Sequence, residues 1–263
     1  MSGRSQQVSV HGTLALSTFL EYGVPQGSVL GPFLFLMYIA DLVSLVCTFG
    51  LFAHAYADDL QVYCHLSPGE EHVALQRFRS CSDSVSRWMS SNRLKLNPSK
   101  TELIWLHSSR RNPGFIQNDI ELFGDFITPV RVVRNLGVIL DENMTMLDHI
   151  SSVCQRCYYQ LRQIRRVRKS LSAASKLLLA LASVHSRLDY CNSVLHSLPW
   201  SRLQLLQSVL NSAARLIRGL RRFDHITPVL IDLHWLPYPQ RISYKICLLM
   251  FKCLKGLAPA YLT

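Results

Sequence analysis

From Leu60 to Leu66 apolar and polar side chains alternate, with Leu60, Val62 and Cys64 on one side and Gln61, Tyr63 and His65 on the other. That is the period of a half-buried strand. The run before it, LFAHAYA at 51–57, also has strand length, and Asp58-Asp59 interrupts the two. Strand, two acids, strand predicts a β-hairpin with the acids at its tip. Residues 7–10 alternate and stop at Gly12, predicting a short strand, and GVPQGS at 23–28 is loop chemistry. Pro32 suits the first turn of a helix running to about Ser44. After the turn Ser67-Pro68-Gly69, Val73, Phe78, Cys81, Val85, Trp88 and Met89 fall on one helical face that ends near Asn92. TELIWL at 101–106 predicts a strand. Short alternating runs broken by Gly114, Gly124, Pro129 and Gly137 predict a small antiparallel meander over 115–140. From Asp148 the period is helical: Leu177, Leu181, Val184 and Leu188 form one stripe, and Leu203, Leu206, Leu210, Ala213 and Leu216 another. Pro199 and Pro237 separate helices. The expected architecture is an α+β unit followed by an all-helical unit, divided near Asn143.

One stretch admits a second reading. Gly31 to Phe52 is almost wholly apolar and resembles a membrane span in length. Asp41 lies inside it, and a carboxylate at mid-span costs about 2.5–3.5 kcal/mol on insertion scales. A buried helix and a buried strand are therefore expected, with Phe33, Leu34, Leu36, Met37 and Ile39 packed on the sheet. The start of the sequence has no signal-peptide pattern, so the expected location is intracellular, nucleus or cytoplasm, and not secreted. The eight cysteines lack a regular framework and read as reduced thiols. Cys154 and Cys157 have no second pair at zinc spacing, and one packed helix turn accounts for them.

Composition and charge narrow the function. At 263 residues with 49% hydrophobic content, the chain can bury a sizeable core. It has too many apolar and aromatic residues for a disordered polymer. The net charge of +11 is unevenly distributed. Residues 151–263 hold 17 Lys and Arg against 3 Asp, whereas residues 1–150 hold 11 against 14 Asp and Glu. A basic half points to phosphate partners, with a solvated basic face as the plainer alternative.

Adjacent carboxylates repel unless a cation compensates them, and hard oxygen ligands suit a divalent metal. An Asp-rich turn with no ligand is the simpler account of Asp58-Asp59 taken alone. The surroundings add to it. YADD at 56–59 is preceded by GVPQGSVLGP at 23–32 and followed by WMSSNRLKLNPSKTE at 88–102. In that order these segments resemble the polymerase core of reverse transcriptases, specifically those of non-LTR (LINE-type) retrotransposons. SGRSQQVSV at 2–10 is similar to the segment leading into the PQG loop, and NLGVIL at 135–140 to the primer-side hairpin region. SRLDYCNSVL at 186–195, DHITPVLIDLHWLP at 224–237 and KGLAPAYL at 255–262 are similar to the helical thumb.

The resemblance implies an α+β right-hand polymerase palm over residues 1–142, partial and without fingers, and a helical basic thumb over 143–263. It implies RNA-directed DNA synthesis on an RNA template from deoxynucleotide triphosphates, with a two-ion site for Mg²⁺ or Mn²⁺. Asp58 and Asp59 match the catalytic, metal-binding acids, Asp58 being the stronger ligand candidate. Tyr56 and Ala57 match the residues beside the primer end and incoming nucleotide. Pro25, Gln26 and Gly27 match the loop facing the template base. Lys100 matches a lysine at the nucleotide phosphates, with a surface lysine in a turn as the alternative. Arg162, Arg165, Arg166, Arg168 and Lys169 crowd one helix end, and Arg215, Arg218, Arg221 and Arg222 another. In a thumb they would grip an RNA–DNA duplex by its phosphates. The family's third carboxylate lies upstream of the segment matched by residues 2–10, and the only acid before Gly23 is Glu21. Asp41, Asp125 and Asp141 have nothing in their sequence settings that makes them its substitute. The expectation is a truncated element, inactive alone because that strand is absent. The alternatives are a non-catalytic nucleic-acid-binding remnant and a membrane protein anchored by residues 31–52.

Overall fold

A computed structural model of the chain describes residues 3–20, 27–67, 69–108 and 119–262. They divide into two compact units, residues 1–101 with 117–128, and residues 102–116 with 129–263. The expected boundary at 142/143 thus lies inside the second unit, which also takes in the last hairpin before the helices.

In the first unit, β1 (Arg4–Gln6) pairs with β4 (Thr18–Leu20), and β2 (Ser9–Val10) with β3 (Thr13–Leu14), all antiparallel. Helices α1 (Gly31–Tyr38) and α2 (Ala40–Cys47) follow, then β5 (Phe52–Tyr56), β6 (Asp59–Tyr63), α3 (Glu71–Ser91), β7 (Ile120–Leu122) and β8 (Asp125–Ile127). The core joins Leu42 and Val46 of α2 to Cys81 and Val85 of α3 and to Leu51, with Ala53, Leu60, Val62, Cys64 and Phe123 packed against them. Both helices therefore cover one face of the β5–β6 hairpin. Gly50, at φ +69°, turns the chain out of α2 toward β5 in a conformation that glycine adopts without strain.

The apolar stretch 31–52 departs from expectation. It is two helices broken at Ile39, and α1 has no buried residue: Phe33 is 61% exposed and Met37 62%. GPFLFLMY is apolar on every side, so no stripe directs it inward, whereas Asp41 and Ser44 give α2 a polar face opposite Leu42 and Val46. Asp41 falls in the first turn of α2, where a carboxylate complements the helix dipole, not late in a single helix. Among the described residues no helix is long and apolar enough to cross a membrane.

The second unit holds β9 (Val132–Asn135), β10 (Val138–Asp141), α4 (Leu147–Val167), α5 (Ala173–Ala180), α6 (Ser186–Leu188), α7 (Trp200–Arg218), α8 (Thr227–Asp232) and α9 (Tyr238–Leu254). A π-helical turn, Leu181–His185, joins α5 to α6. The expected meander over 115–140 is instead two separate hairpins in different units, β7–β8 and β9–β10. Each turns on an X-Gly pair with both φ positive, Phe123-Gly124 and Leu136-Gly137, the dihedral signature of type I′ turns. TELIWL forms no regular strand, although Val130 N–H donates to the Leu103 carbonyl and His107 N–H to that of Glu142. The main core packs Ile150, Cys157, Leu161 and Ile164 of α4 against Leu206, Val209, Leu210, Ala213 and Ala214 of α7. Pro199 and Pro237 sit at the N-caps of α7 and α9, as their positions between helices predicted. Burial pushes the Cys154 thiol up to about 11 and the Cys157 thiol to about 12, as befits packed thiols.

A polar network closes this core. Arg241 Nη1 donates to both carboxylate oxygens of Asp189 (2.8 and 2.6 Å), and Nη2 meets His185 Nδ1 at 3.0 Å. The His185 ring lies against Trp235 with centroids 3.9 Å apart. Tyr238 Oη donates to the Leu188 carbonyl at 2.9 Å. Burial, reinforced by the Arg241 charge and opposed by Asp189, lowers the His185 pKa to about 4.

Arg241→Ala strands the Asp189 charge, which is 43% exposed at its side chain and so partly screened. We expect a stability loss of about 2–3 kcal/mol by urea titration. Because His185 holds its proton less tightly folded than unfolded, its contribution is complete above about pH 6.5 and is lost as pH falls toward 4. The loss is on the order of 3 kcal/mol. His185→Asn, which keeps an acceptor for Arg241, should flatten that dependence; equal pH slopes for the two proteins would contradict this assignment.

Candidate functional site

The tip of the β5–β6 hairpin is built by its register. Phe52 pairs with Tyr63, His54 with Gln61 and Tyr56 with Asp59, leaving Ala57 and Asp58 as a two-residue loop. Inner positions Ala53, Leu60 and Val62 face the helices. Outer positions form an aromatic ladder. Phe52 stacks on Tyr63 with centroids 5.4 Å apart, and His54 on Tyr63 at 5.3 Å. Tyr63 Oη lies 2.9 Å from His54 Nε2. Tyr56, 68% exposed, and Asp59 end the same face. The sequence had given the Gln61, Tyr63 and His65 side of this ladder; Phe52 and His54 complete it from the opposite strand.

Asp58 and Asp59 are both exposed, and neither carboxylate has a hydrogen bond or ion pair among the described residues. Their hard oxygens match the donor set of a divalent cation. Among the described residues, no three His, Cys, Asp or Glu side chains come together to hold a metal. The pair by itself is thus short of a full ligand set.

The remaining expected residues are less gathered. Pro25 and Gln26 lie outside the described residues. Gly27 is exposed at φ +85°, a conformation that favours glycine. Lys100 ends a 3₁₀ turn at 98–100, exposed, its N–H donating to the Asn97 carbonyl. No hydrogen bond among the described residues joins Gly27 or Lys100 to the tip. In the second unit Arg162, Arg165, Arg166, Arg168 and Lys169 are exposed at the end of α4 and just beyond it, without carboxylate partners among the described residues. The other cluster is engaged locally: Arg218 pairs with the Asp232 carboxylate, and Arg215 donates to the Asp224 carbonyl at 3.4 Å.

Asp141 has a role that no motif revealed. Its carboxylate accepts from the N–H groups of Asn143, Thr145 and Met146 at 3.2, 2.9 and 2.7 Å and from the Thr145 hydroxyl at 3.1 Å. Burial pushes its pKa up, but these four donors outweigh that and hold it below the usual carboxylate range. It ties down the entry to α4 and is committed there.

The family model described as reverse transcriptase (RNA-dependent DNA polymerase) matches residues 6–140. Over 243 residues the chain is 26% identical to the probable RNA-directed DNA polymerase from transposon X-element of Drosophila melanogaster, covering 89% of this chain and 26% of that protein. It is 28% identical over 171 residues to the corresponding probable polymerase from transposon BS of Drosophila melanogaster, covering 63% of this chain and 18% of that one. It is 31% identical over 158 residues to the RNA-directed DNA polymerase from mobile element jockey of Drosophila funebris, covering 57% and 16%. The chain therefore spans about a quarter or less of these relatives. No solved structure matches it.

Ala57 holds φ at +52° at the hairpin tip, a left-handed conformation that costs a residue with a Cβ about 1–2 kcal/mol. Ala57→Gly is expected to stabilise the chain by about 1 kcal/mol, and Ala57→Val to destabilise it by at least as much. Urea midpoints read both; a destabilising Ala57→Gly would show that the turn is not strained.

Proposed function

Because the chain belongs to the reverse transcriptase (RNA-dependent DNA polymerase) family and its relatives are mobile-element polymerases of the LINE type, we propose that it supplies part of a retrotransposon's RNA-directed DNA polymerase, with residues 1–142 a palm segment and 143–263 a thumb. The observation that most supports this is the pair of exposed, unpaired carboxylates at the hairpin tip, Asp58 in the two-residue loop and Asp59 at the start of β6, on a hairpin packed against α2 and α3 inside the matched residues.

In this reading Asp58 and Asp59 hold divalent cations, Mg²⁺ or Mn²⁺. Held there, such ions would supply charge neutralisation at the nucleotide phosphates and the primer oxygen. Tyr56 and Ala57 border the primer end and the incoming nucleotide. Pro25, Gln26 and Gly27 face the template base. Lys100 stabilises the leaving pyrophosphate. The basic end of α4 holds the RNA–DNA duplex by its phosphates, without reading bases. A two-ion site needs a bridging carboxylate besides the tip pair, so the chain alone is inactive and its activity requires a further palm strand bearing that acid.

A second reading is favoured by the absence of a three-carboxylate cluster among the described residues: a non-catalytic nucleic-acid-binding remnant, in which only the basic helices act. Primer extension separates the two. On poly-rA with an oligo-dT primer and Mg²⁺ or Mn²⁺, the chain alone is expected to incorporate no dTTP. Fused behind the upstream polymerase segment of the jockey relative, it is expected to incorporate dTTP, and Asp58→Ala should cut this by at least about 10³-fold. A fusion that binds duplex but gives no Asp58-dependent incorporation would replace the first reading with the second.

A further inference from the structure

The second unit contains a concave surface that the sequence motifs do not reveal. Gln155, Arg156, Tyr159, Gln160 and Arg162 of α4 and Arg187 of α6 line a solvent-open cavity of about 440 Å³. Three guanidinium groups thus meet one phenol and two amides, with no acid in the lining. None of the three arginines has a carboxylate partner among the described residues. Arg156 Nη2 donates to the Ser152 hydroxyl at 2.9 Å, and Arg187 Nη1 to the Ser183 carbonyl in the π-helical turn. Each contact occupies one nitrogen and fixes the direction of the fork, leaving its other donors for a ligand. The two charges line the same cavity, and both act on the buried Cys157 thiol.

Cations gathered without an acid repel one another, and an anion placed among them relieves that repulsion. A planar guanidinium fork fits the two non-bridging oxygens of a phosphate. The phenol and amides add neutral donors and acceptors suited to the neighbouring sugar oxygens. An open cavity, unlike a closed one, lets a polymer continue past it.

We propose that this surface binds a phosphodiester of a nucleic-acid backbone through Arg156 and Arg187, with Arg162 beside them and Tyr159, Gln155 and Gln160 toward the sugar. The proposal rests on the polymerase reading above and assigns it a specific phosphate contact. The contact involves no base edges and is independent of sequence.

Binding of a labelled RNA–DNA duplex to the full chain tests it, measured from 50 to 200 mM salt. Arg156→Ala/Arg187→Ala is expected to weaken binding about tenfold at 0.1 M salt. It should also make the slope of log K against log salt shallower by about 1–2. Arg156→Lys/Arg187→Lys should keep the slope, since charge is retained. Lys252→Ala/Lys255→Ala, which removes two exposed charges on and just after α9, should leave it unchanged. Helical circular dichroism confirms that each variant is folded. The site is overturned if the two alanine pairs behave alike, which would make the effect one of net charge, or if the arginine pair binds as tightly as the parent. It is also overturned as a polymer site if millimolar inorganic phosphate displaces the duplex at constant ionic strength, which would mark a free-anion site. Failure of the polymerase reading appears elsewhere, as loss of Asp58-dependent incorporation in the fusion.

Discussion

The inner face of the β5–β6 hairpin sets where the two tip carboxylates stand. Ala53, Leu60, Val62 and Cys64 rest on the core formed by α2 and α3. A slip of one residue in β6 would turn Leu60 and Val62 to water and Gln61 and Tyr63 toward the helices, burying an amide and a phenol. The register is therefore locked by apolar contact, and the loop is left two residues long. Asp58 then falls in the turn and Asp59 on the outer face at the end of β6, so both carboxylates are exposed. The strain at Ala57 belongs to the same arrangement: a tight turn between strands in fixed register imposes a left-handed residue at its first position.

The second unit handles charge differently in its interior and on its surface. The three acids of residues 151–263 are all engaged: Asp189 with Arg241, Asp232 with Arg218, and Asp224 accepting from the Arg221 N–H at 2.6 Å. These contacts hold α8 and α9 against α7 and the π-helical turn. Many of the remaining cations lie along α4 and at its C-terminal end, where the helix dipole favours them. With no acid nearby, that surface presents a positive field with counterions to release, the property on which sequence-independent phosphate binding depends. The same composition thus gives a rigid interior and an available cationic face, because the acids are placed where they fasten helices together.

What the sequence made legible follows from the strength of its periodicity. α3 and α7 carry apolar residues at helical spacing against polar neighbours, and the predicted Cys81, Val85, Leu203, Leu206, Leu210, Ala213 and Leu216 are buried. The β5–β6 alternation was equally plain. α1 was misread as buried because a segment that is apolar all round carries no information about which side packs. Val73 was placed in the α3 stripe yet is 49% exposed, since it lies in the first turn, beyond the reach of the core. The strand expected at TELIWL failed for a different reason: its backbone pairs at isolated points, at Leu103 and His107, without a continuous ladder. The His185–Asp189–Arg241 network was illegible because it joins residues by side-chain contacts that no local pattern encodes, whereas Asp141 caps backbone N–H groups only two to five residues on. Arg241 lies 52 positions from Asp189.

The segments SRLDYCNSVL and DHITPVLIDLHWLP show how a motif can be recognisable and yet structural. Asp189 comes from the first, Trp235 from the second, and Tyr238 follows the second directly. Asp189 is held by Arg241, Trp235 lies on His185, and Tyr238 donates its hydroxyl to the Leu188 carbonyl and its backbone N–H to Gln207 Oε1. The polar groups of Asp189, Trp235 and Tyr238 are thus turned toward the packing of this unit. Arg187 sits inside the first motif but faces the other way, into the cavity beside α4. One short segment therefore serves both purposes: Asp189 and Leu188 fasten the core, and that fixed backbone holds Arg187 in place at the surface. A guanidinium with its backbone anchored on both sides loses less conformational freedom on meeting a phosphate than one on a free loop. The packing of the motif thereby supports the binding surface beside it.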